Sequence, residues 1–220
     1  KPLALLHGFM ENTTIWDEME AHLSKDFTLI KIDLPGHGKS KVYQEIHTVE
    51  LMAEKVKEVI DALKLEKINL LGHSLGGYVS LAFAEKFPEI LESMTLFFST
   101  TVADDEEKKA IRRRSIAVID ENFETFVKTS IPNLFSNNEK DILEGKIELA
   151  KNIAKSTHKE GVKAAQLGMA ERPDRTEILE NLDAKIIIIA GKYDNAVKTE
   201  NLLKIIPEKT DIKTYVLDCG

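Results

Sequence analysis

Hydrophobic and polar positions along this chain fall into two alternating textures. Short apolar runs bounded by Gly, Pro, Asp or Asn read as buried strands: Leu3–Leu6, Phe27–Asp33, Lys67–Leu71, Ser93–Phe98, Lys185–Ala190 and Ile212–Leu217. Between them lie segments with apolar residues three and four apart. Thr48 caps one of these. Val49, Met52, Ala53, Val56, Val59, Ile60 and Leu63 share its apolar face, opposite Glu50, Glu54, Lys57 and Asp61, which predicts an amphipathic helix. A helix over 14–24 carries Ile15, Met19 and Leu23 at four-residue spacing, and another over 199–206 stops at Pro207. Leu75–Phe87 is apolar on nearly every side, which predicts a helix buried against the sheet. The run Ile186–Ile189 has no polar alternation, as expected of a central strand covered on both faces.

Strands alternating with helices predict an α/β fold with a mostly parallel central sheet and helices on both faces. The texture changes between Ser99 and about Asp183. No strand-like run appears there, and helical patterns cover 106–120, 123–130, 139–156 and 159–170. The chain therefore divides into a core of residues 1–98 and 184–220 and a helical insertion of residues 99–183. The charge run Asp104–Lys109, followed by Arg112-Arg113-Arg114, reads most simply as a solvated helix face; a basic site that steers substrate is the alternative.

Composition narrows the class. At 220 residues and 43% hydrophobic, the chain has enough apolar matter for one domain with an insertion. A net charge of -7 argues against nucleic acid or an anionic membrane surface as partner. The single Cys219 excludes an intrachain disulfide and fits a reducing, cytoplasmic compartment. No run approaches the roughly 18 consecutive apolar residues of a membrane span. No His or Cys cluster has metal-ligand spacing, so no metal or organic cofactor is expected. Nothing in these features reports an oligomeric state.

The candidate chemistry centres on Gly72-His73-Ser74-Leu75-Gly76-Gly77, which sits between a predicted strand and a predicted helix. A Gly-x-Ser-x-Gly pattern in that context forms a sharp turn that lifts the serine hydroxyl above the sheet. Gly72 and Gly76 flank it because a Cβ at either place would crowd the crossing of strand and helix. A serine nucleophile needs a base to take its proton and an acid to orient that base. Asp194, four residues past Ala190, lies on a loop where the carboxyl edge of the sheet gathers site residues. Asp104 and Asp105 are competing acids, although they read as a helix start.

The base is the difficulty. In the chain order Ser, acid, His it follows Asp194, and none of His7, His22, His37, His47, His73 and His158 does. His7 and His37 lie in Gly-flanked loops and read as structural. His22 and His47 read as surface or cap positions, His73 is directed away from the neighbouring hydroxyl, and His158 falls in the insertion. An oxyanion hole needs two backbone N–H groups. Leu75, directly after the nucleophile, supplies one, and Phe9 of His7-Gly8-Phe9 supplies the other. Ile116, Phe126, Leu134 and Met169 are the insertion's candidate pocket residues.

Four motifs in order resemble the α/β-hydrolase superfamily: His7-Gly8-Phe9, Asp33-Leu34-Pro35-Gly36-His37-Gly38-Lys39-Ser40, Gly72–Gly77 and Gly191-Lys192-Tyr193-Asp194. The insertion stands where that family carries its helical cap. The resemblance implies Ser74 as nucleophile, Asp194 as acid, and Phe9 and Leu75 N–H as oxyanion donors. Two features depart from it. The family's antiparallel hairpin before the His-Gly strand is missing. Its catalytic His directly follows a Gly after the last strand, whereas this sequence ends on Asp218-Cys219-Gly220. The expectation is a sequence trimmed at both ends, with His next after Gly220. The alternatives are a naturally inactive relative and a shifted base such as His37.

Serine at the elbow disfavours the dehalogenase and epoxide hydrolase branches, which use Asp there. The motifs also resemble the menaquinone-pathway synthase branch, but that branch carries Arg directly after the elbow's Gly-Gly, and this chain has Tyr78. The function implied is hydrolysis of small carboxylic esters or related acyl compounds through an acyl-enzyme. A C–C bond hydrolase, a synthase-like lyase and a non-catalytic ligand-binding relative are the other readings.

Overall fold

Alternation of side chains along the strands sets the layers. The computed structural model describes residues 1–220. Strands β1 (Pro2–Leu6), β2 (Thr28–Ile32), β3 (Ile68–His73), β4 (Leu91–Phe97), β5 (Lys185–Gly191) and β6 (Ile212–Leu217) form one sheet. Its order is β2-β1-β3-β4-β5-β6, and every neighbouring pair is parallel. In β1, Ala4 and Leu6 enter the large cluster beneath α2 (Val49–Ala62) and α3 (Leu75–Lys86). Leu3 and Leu5 point to the opposite face, against Trp16 and against Met19 and Leu23 of α1 (Asp17–Leu23).

The predicted amphipathic helix forms as α2. The Thr48 hydroxyl accepts the Leu51 N–H at 3.1 Å, and Val49, Met52, Ala53, Val56 and Ile60 are buried. Ten consecutive residues of α3, Leu75–Ala84, are buried, as its all-round apolar composition requires. Two core elements differ from expectation. The segment from Thr13 to Trp16 is a short 3-10 helix capped by Asn12, and α1 proper begins at Asp17. In β5, Ile187 and Ile189 are only half-buried, so one face alone is fully covered; β6 beside it leaves Tyr215, Val216 and Leu217 exposed.

Between β4 and β5 the chain is helical. Helix α4 (Glu106–Ser130) breaks at Asn122, whose backbone is extended at φ -154° and ψ 88°. The Asn122 Oδ1 accepts the Thr125 N–H at 2.9 Å and so starts the second stretch. That break separates the two helices predicted on either side of it. Helix α5 (Glu144–Ser156) begins later than predicted, after turns over 139–143. It is followed by α6 (Lys159–Glu171) and a five-residue helix, α7 (Glu177–Asn181), too short to carry a periodic signal. Ile119, Phe126, Val127, Ile131, Ala154 and Val162 form this segment's own apolar cluster, completed by Met10 from the loop after β1. No helix is long and apolar enough to cross a membrane.

Helix α6 seats the insertion on the core. Gly161 and Gly168, two turns apart on one face, pass so close to the loop after β2 that a Cβ would overlap the Gly36 and His47 carbonyls. The His47 N–H donates to the Ala164 carbonyl at 3.0 Å. His47, expected at the surface, is therefore fully buried beneath α6. Its Nδ1–H donates to the Pro35 carbonyl at 3.1 Å and its Nε2 accepts the Tyr43 N–H at 3.1 Å. Burial lowers its pKa and keeps the ring neutral.

Overpacking a close backbone contact costs about 1–3 kcal/mol, so Gly168→Ala is expected to lose that much stability in urea denaturation. Gly145→Ala, where a Cβ meets open space in α5, is expected to gain up to about 1 kcal/mol. Equal midpoints for wild type and Gly168→Ala would show that α6 is not seated this tightly.

Candidate functional site

The strand order creates the site. From β1 the chain moves outward to β2 and then crosses back to β3 on the other flank of β1. Segments leaving β1 and β3 therefore diverge at the carboxyl edge and open a crevice between them. The loop after β1 is His7-Gly8-Phe9-Met10-Glu11, and the turn after β3 holds Ser74.

Ser74 adopts φ 49° and ψ -111°, a left-handed conformation that an L-residue holds only under constraint. Its N–H donates to the Phe97 carbonyl at 3.0 Å, and its carbonyl accepts the Ser99 hydroxyl at 2.8 Å and the Gly77 N–H at 2.9 Å. A Cβ on Gly72 would strike the Gly76 carbonyl, and one on Gly76 would strike that of Leu6. Helix α3 thus starts directly at the serine. The Leu75 N–H lies in the helix's first turn, where no intrahelical acceptor exists. Phe9, in the loop opposite, supplies the second candidate N–H.

Glu11 fastens that loop. Its Oε2 accepts the Gly8 N–H at 2.5 Å and the His73 Nδ1–H at 2.9 Å, while the Glu11 N–H returns to the Gly8 carbonyl at 3.3 Å. The turn encloses Phe9 and holds Met10 at φ 58°. It is tied to the residue immediately before the candidate nucleophile. Burial alone would raise the Glu11 pKa, but the charge and hydrogen bond of His73 bring it below its usual value. Burial would likewise lower His73, yet the Glu11 carboxylate, and more weakly Asp194, raise it above its usual value. Sequence reasoning missed Glu11. Its spacing of three from Gly8 is a turn signal, but its partner lies 62 residues away.

The histidines are engaged elsewhere. The His7 Nδ1–H donates to the Gly8 carbonyl at 2.8 Å and its Nε2 accepts the Leu34 N–H at 2.9 Å, the structural role expected of it. The His37 Nδ1–H donates to the Pro35 carbonyl at 3.0 Å, and its buried Nε2 has no partner. Burial pushes its pKa to about 3, which makes it a weak proton acceptor. His22 and His158 are exposed. None of the six hydrogen-bonds Ser74.

Asp194 stands on the loop after β5. One carboxylate oxygen, Oδ1, accepts the N–H groups of Ala196 at 2.7 Å and Val197 at 2.9 Å. Its turn thus holds the carboxylate in place. Ser74, Phe9, Glu11, His73 and Asp194 line one cavity of about 400 Å³, roofed by the insertion. Phe126, Leu134 and Met169 line it as expected, whereas Ile116 does not. The competing acids are occupied. Asp105 caps α4, accepting the Lys108 N–H at 2.7 Å. Asp104 is buried between Arg112 and Arg172. Burial would raise its pKa, but the two guanidinium groups hold it below its usual value. The charge run is therefore not simply a solvated face, since Asp104, Lys108 and Arg112 all border the cavity.

The model of the alpha/beta hydrolase fold matches residues 1–217. The chain belongs to the alpha/beta hydrolase fold family. Its structure is similar to a thermophilic esterase from Thermogutta terrifontis, with 32% identity and a TM-score of 0.90 over all of this chain and 82% of that one. A putative 2-succinyl-6-hydroxy-2,4-cyclohexadiene-1-carboxylate synthase from Bacillus subtilis is 28% identical over 211 residues, 86% of this chain and 72% of that protein. An uncharacterized protein of Mycobacterium tuberculosis is 34% identical over 103 residues, and the match spans 30% of that protein's length.

The Glu11–His73 pair makes a pH-dependent contribution to stability. A raised His73 pKa adds stability that is fully present below its usual 6.5 and lost as pH rises through the folded value. A lowered Glu11 pKa adds stability present above its usual 4.5 and lost as pH falls through the folded value. Glu11→Gln should therefore cost about 1.5–3 kcal/mol near pH 5.5 and progressively less above neutrality, measured by urea denaturation across pH. A deficit that stays constant from pH 5 to 9 would reduce the contact to a neutral hydrogen bond.

Proposed function

We propose that this hydrolase-fold protein cleaves small carboxylic esters through an acyl-enzyme intermediate. The observation that carries the reading is Ser74 at its left-handed turn, sharing one cavity with the Phe9 loop, the α3 N-terminus and Asp194. The esterase likeness supports it. In the proposed mechanism Ser74 Oγ attacks the ester carbonyl carbon as a histidine takes its proton. The carbonyl oxygen becomes an oxyanion and receives the Phe9 and Leu75 N–H groups. Collapse of the tetrahedral intermediate expels the alcohol, which leaves with that proton. Water then adds to the acyl-enzyme by the same route and releases the carboxylic acid.

The proposal places the base beside Asp194. The Tyr193 N–H donates to the Cys219 carbonyl at 3.0 Å, which lays the end of the chain alongside the loop that carries Asp194. The scheme requires a histidine beside that carboxylate.

The synthase relative favours a second reading, a proton-abstracting elimination with the same residues. The two separate on simple esters. The full-length protein should hydrolyse p-nitrophenyl acetate and be labelled by a fluorophosphonate, and Ser74→Ala should lower turnover at least about a thousandfold. Turnover within tenfold of wild type would rule out Ser74 as nucleophile. Binding of small molecules without labelling would favour a non-catalytic receptor.

A further inference from the structure

The insertion brings more positive charge to the cavity than it neutralises. Four side chains of its wall are charged: Asp104, Lys108, Arg112 and Arg172. Asp104 is the single carboxylate among them, and both arginines converge on it. Arg172 is spent on structure. Its Nη2 donates to Asp104 at 2.8 Å and to the Val102 carbonyl at 3.1 Å, and its Nη1 donates to the Met169 carbonyl at 2.8 Å. Its guanidinium also lies 4.0 Å from the centre of the Tyr78 ring, and its side chain is 4% exposed.

Arg112 is not spent in the same way. Its Nε pairs with Asp104 and its Nη1 donates to the Gln166 Oε1 at 3.1 Å, which leaves Nη2 for a further acceptor. Its side chain retains 21% exposure. Lys108 enters none of the ion pairs of this region, which join Lys109 to Glu106 and both arginines to Asp104. Lys108 and Arg112 stand four residues apart on the face of α4 that also turns Ile111 and Ser115 to the cavity. Like charges at that spacing repel one another along a helix. An anion bound between them would relieve the repulsion and gain charge-assisted hydrogen bonds. At the core end the Glu11 carboxylate is paired with His73, and Asp194 is the other carboxylate. In a chain of net charge -7, this cationic patch is a local departure from the whole.

We infer that Lys108 and Arg112 form a carboxylate-receiving subsite, so that the preferred substrates are esters bearing a second, ionised carboxylate away from the scissile bond. The inference rests on the esterase reading for the reaction, but the anion site itself is independent of turnover. The ester carbonyl lies at Ser74, and the carboxylate reaches across the cavity to α4.

The test uses the full-length protein and two matched pairs of esters: monomethyl glutarate against methyl valerate, and 4-acetoxybutyrate against butyl acetate. They carry the anion on the acyl and the alcohol side respectively. In at least one pair, kcat/KM for the anionic ester should exceed that for its neutral partner tenfold or more, and the ratio should shrink as salt rises. Lys108→Gln and Arg112→Gln should each cut the ratio at least fivefold. Arg112→Gln also disturbs Asp104, so Lys108→Gln, whose ammonium holds nothing together, keeps the test clean if the first variant fails to fold. Glutarate binding by calorimetry separates the two readings. Glutarate bound by wild type, and at least fivefold more weakly by Lys108→Gln, supports the subsite even if no ester turns over, in which case the esterase reading alone fails. Ratios near one in both pairs, or glutarate binding that Lys108→Gln leaves unchanged, overturn the subsite.

Discussion

The left-handed backbone of Ser74 is the constraint on which the rest of this structure depends. At φ 49° an L-residue stores about 1–3 kcal/mol of strain, and the neighbouring elements are arranged to retain it. The turn continues the pairing of β3 with β4 through the Phe97 carbonyl, and the Ser99 hydroxyl holds the Ser74 carbonyl from β4's far end. Helix α3 crosses so near β1 and β3 that glycine alone fits at Gly72 and Gly76. The buried flank of α3, with Val79, Leu81 and Phe83, supplies the apolar burial that offsets the strain.

How much of this was legible in the sequence follows the range of the interactions involved. The elbow, the strands and the α2 face are local patterns, and each formed near where its periodicity placed it. The place of Asp194 at the cavity was legible because a position just past a strand at the carboxyl edge is a topological property. His47 was misread because its environment is created by α6, more than a hundred residues later, and a histidine before a capping Thr looks like surface until that helix arrives. Glu11 was invisible for the same reason, since nothing near it announces His73 as its partner. Asp104 sat inside a run of charges that composition alone assigns to solvent. Arg172, on the far side of the insertion, is what buries it.

The loop after β1 is held from two sides, and this couples the insertion to the site of the proposed chemistry. Glu11 ties the loop to His73 on the core, while Met10, 1% exposed, is part of the insertion's own apolar cluster with Ile119, Phe126 and Val127. Phe9 lies between these two attachments. A displacement of the insertion therefore pulls on Met10 and shifts the Phe9 N–H against the Leu75 N–H, the two groups to which the proposed mechanism assigns the oxyanion. The insertion is more than a roof that selects what enters.

The same division of labour organises the charge of the cavity. The core contributes its carboxylates, Glu11 and Asp194, to the cavity that holds the serine, with Glu11 paired to His73. The insertion contributes the cations, with one carboxylate, Asp104, shared between two arginines as a brace that locks α4 to α6. An uneven distribution of charge between the two ends acts on the orientation of a ligand as well as on its affinity. In the proposed subsite, the anion of a bound ligand faces α4, where Lys108 and Arg112 carry the uncompensated charge, and lies away from Asp194. The buried brace keeps the cationic end fixed in place. The side chains that meet a ligand there, Lys108 and the free edge of Arg112, belong to the same helix whose cluster embraces Met10. Recognition at the far wall and alignment of the Phe9 N–H are therefore two consequences of seating one helix.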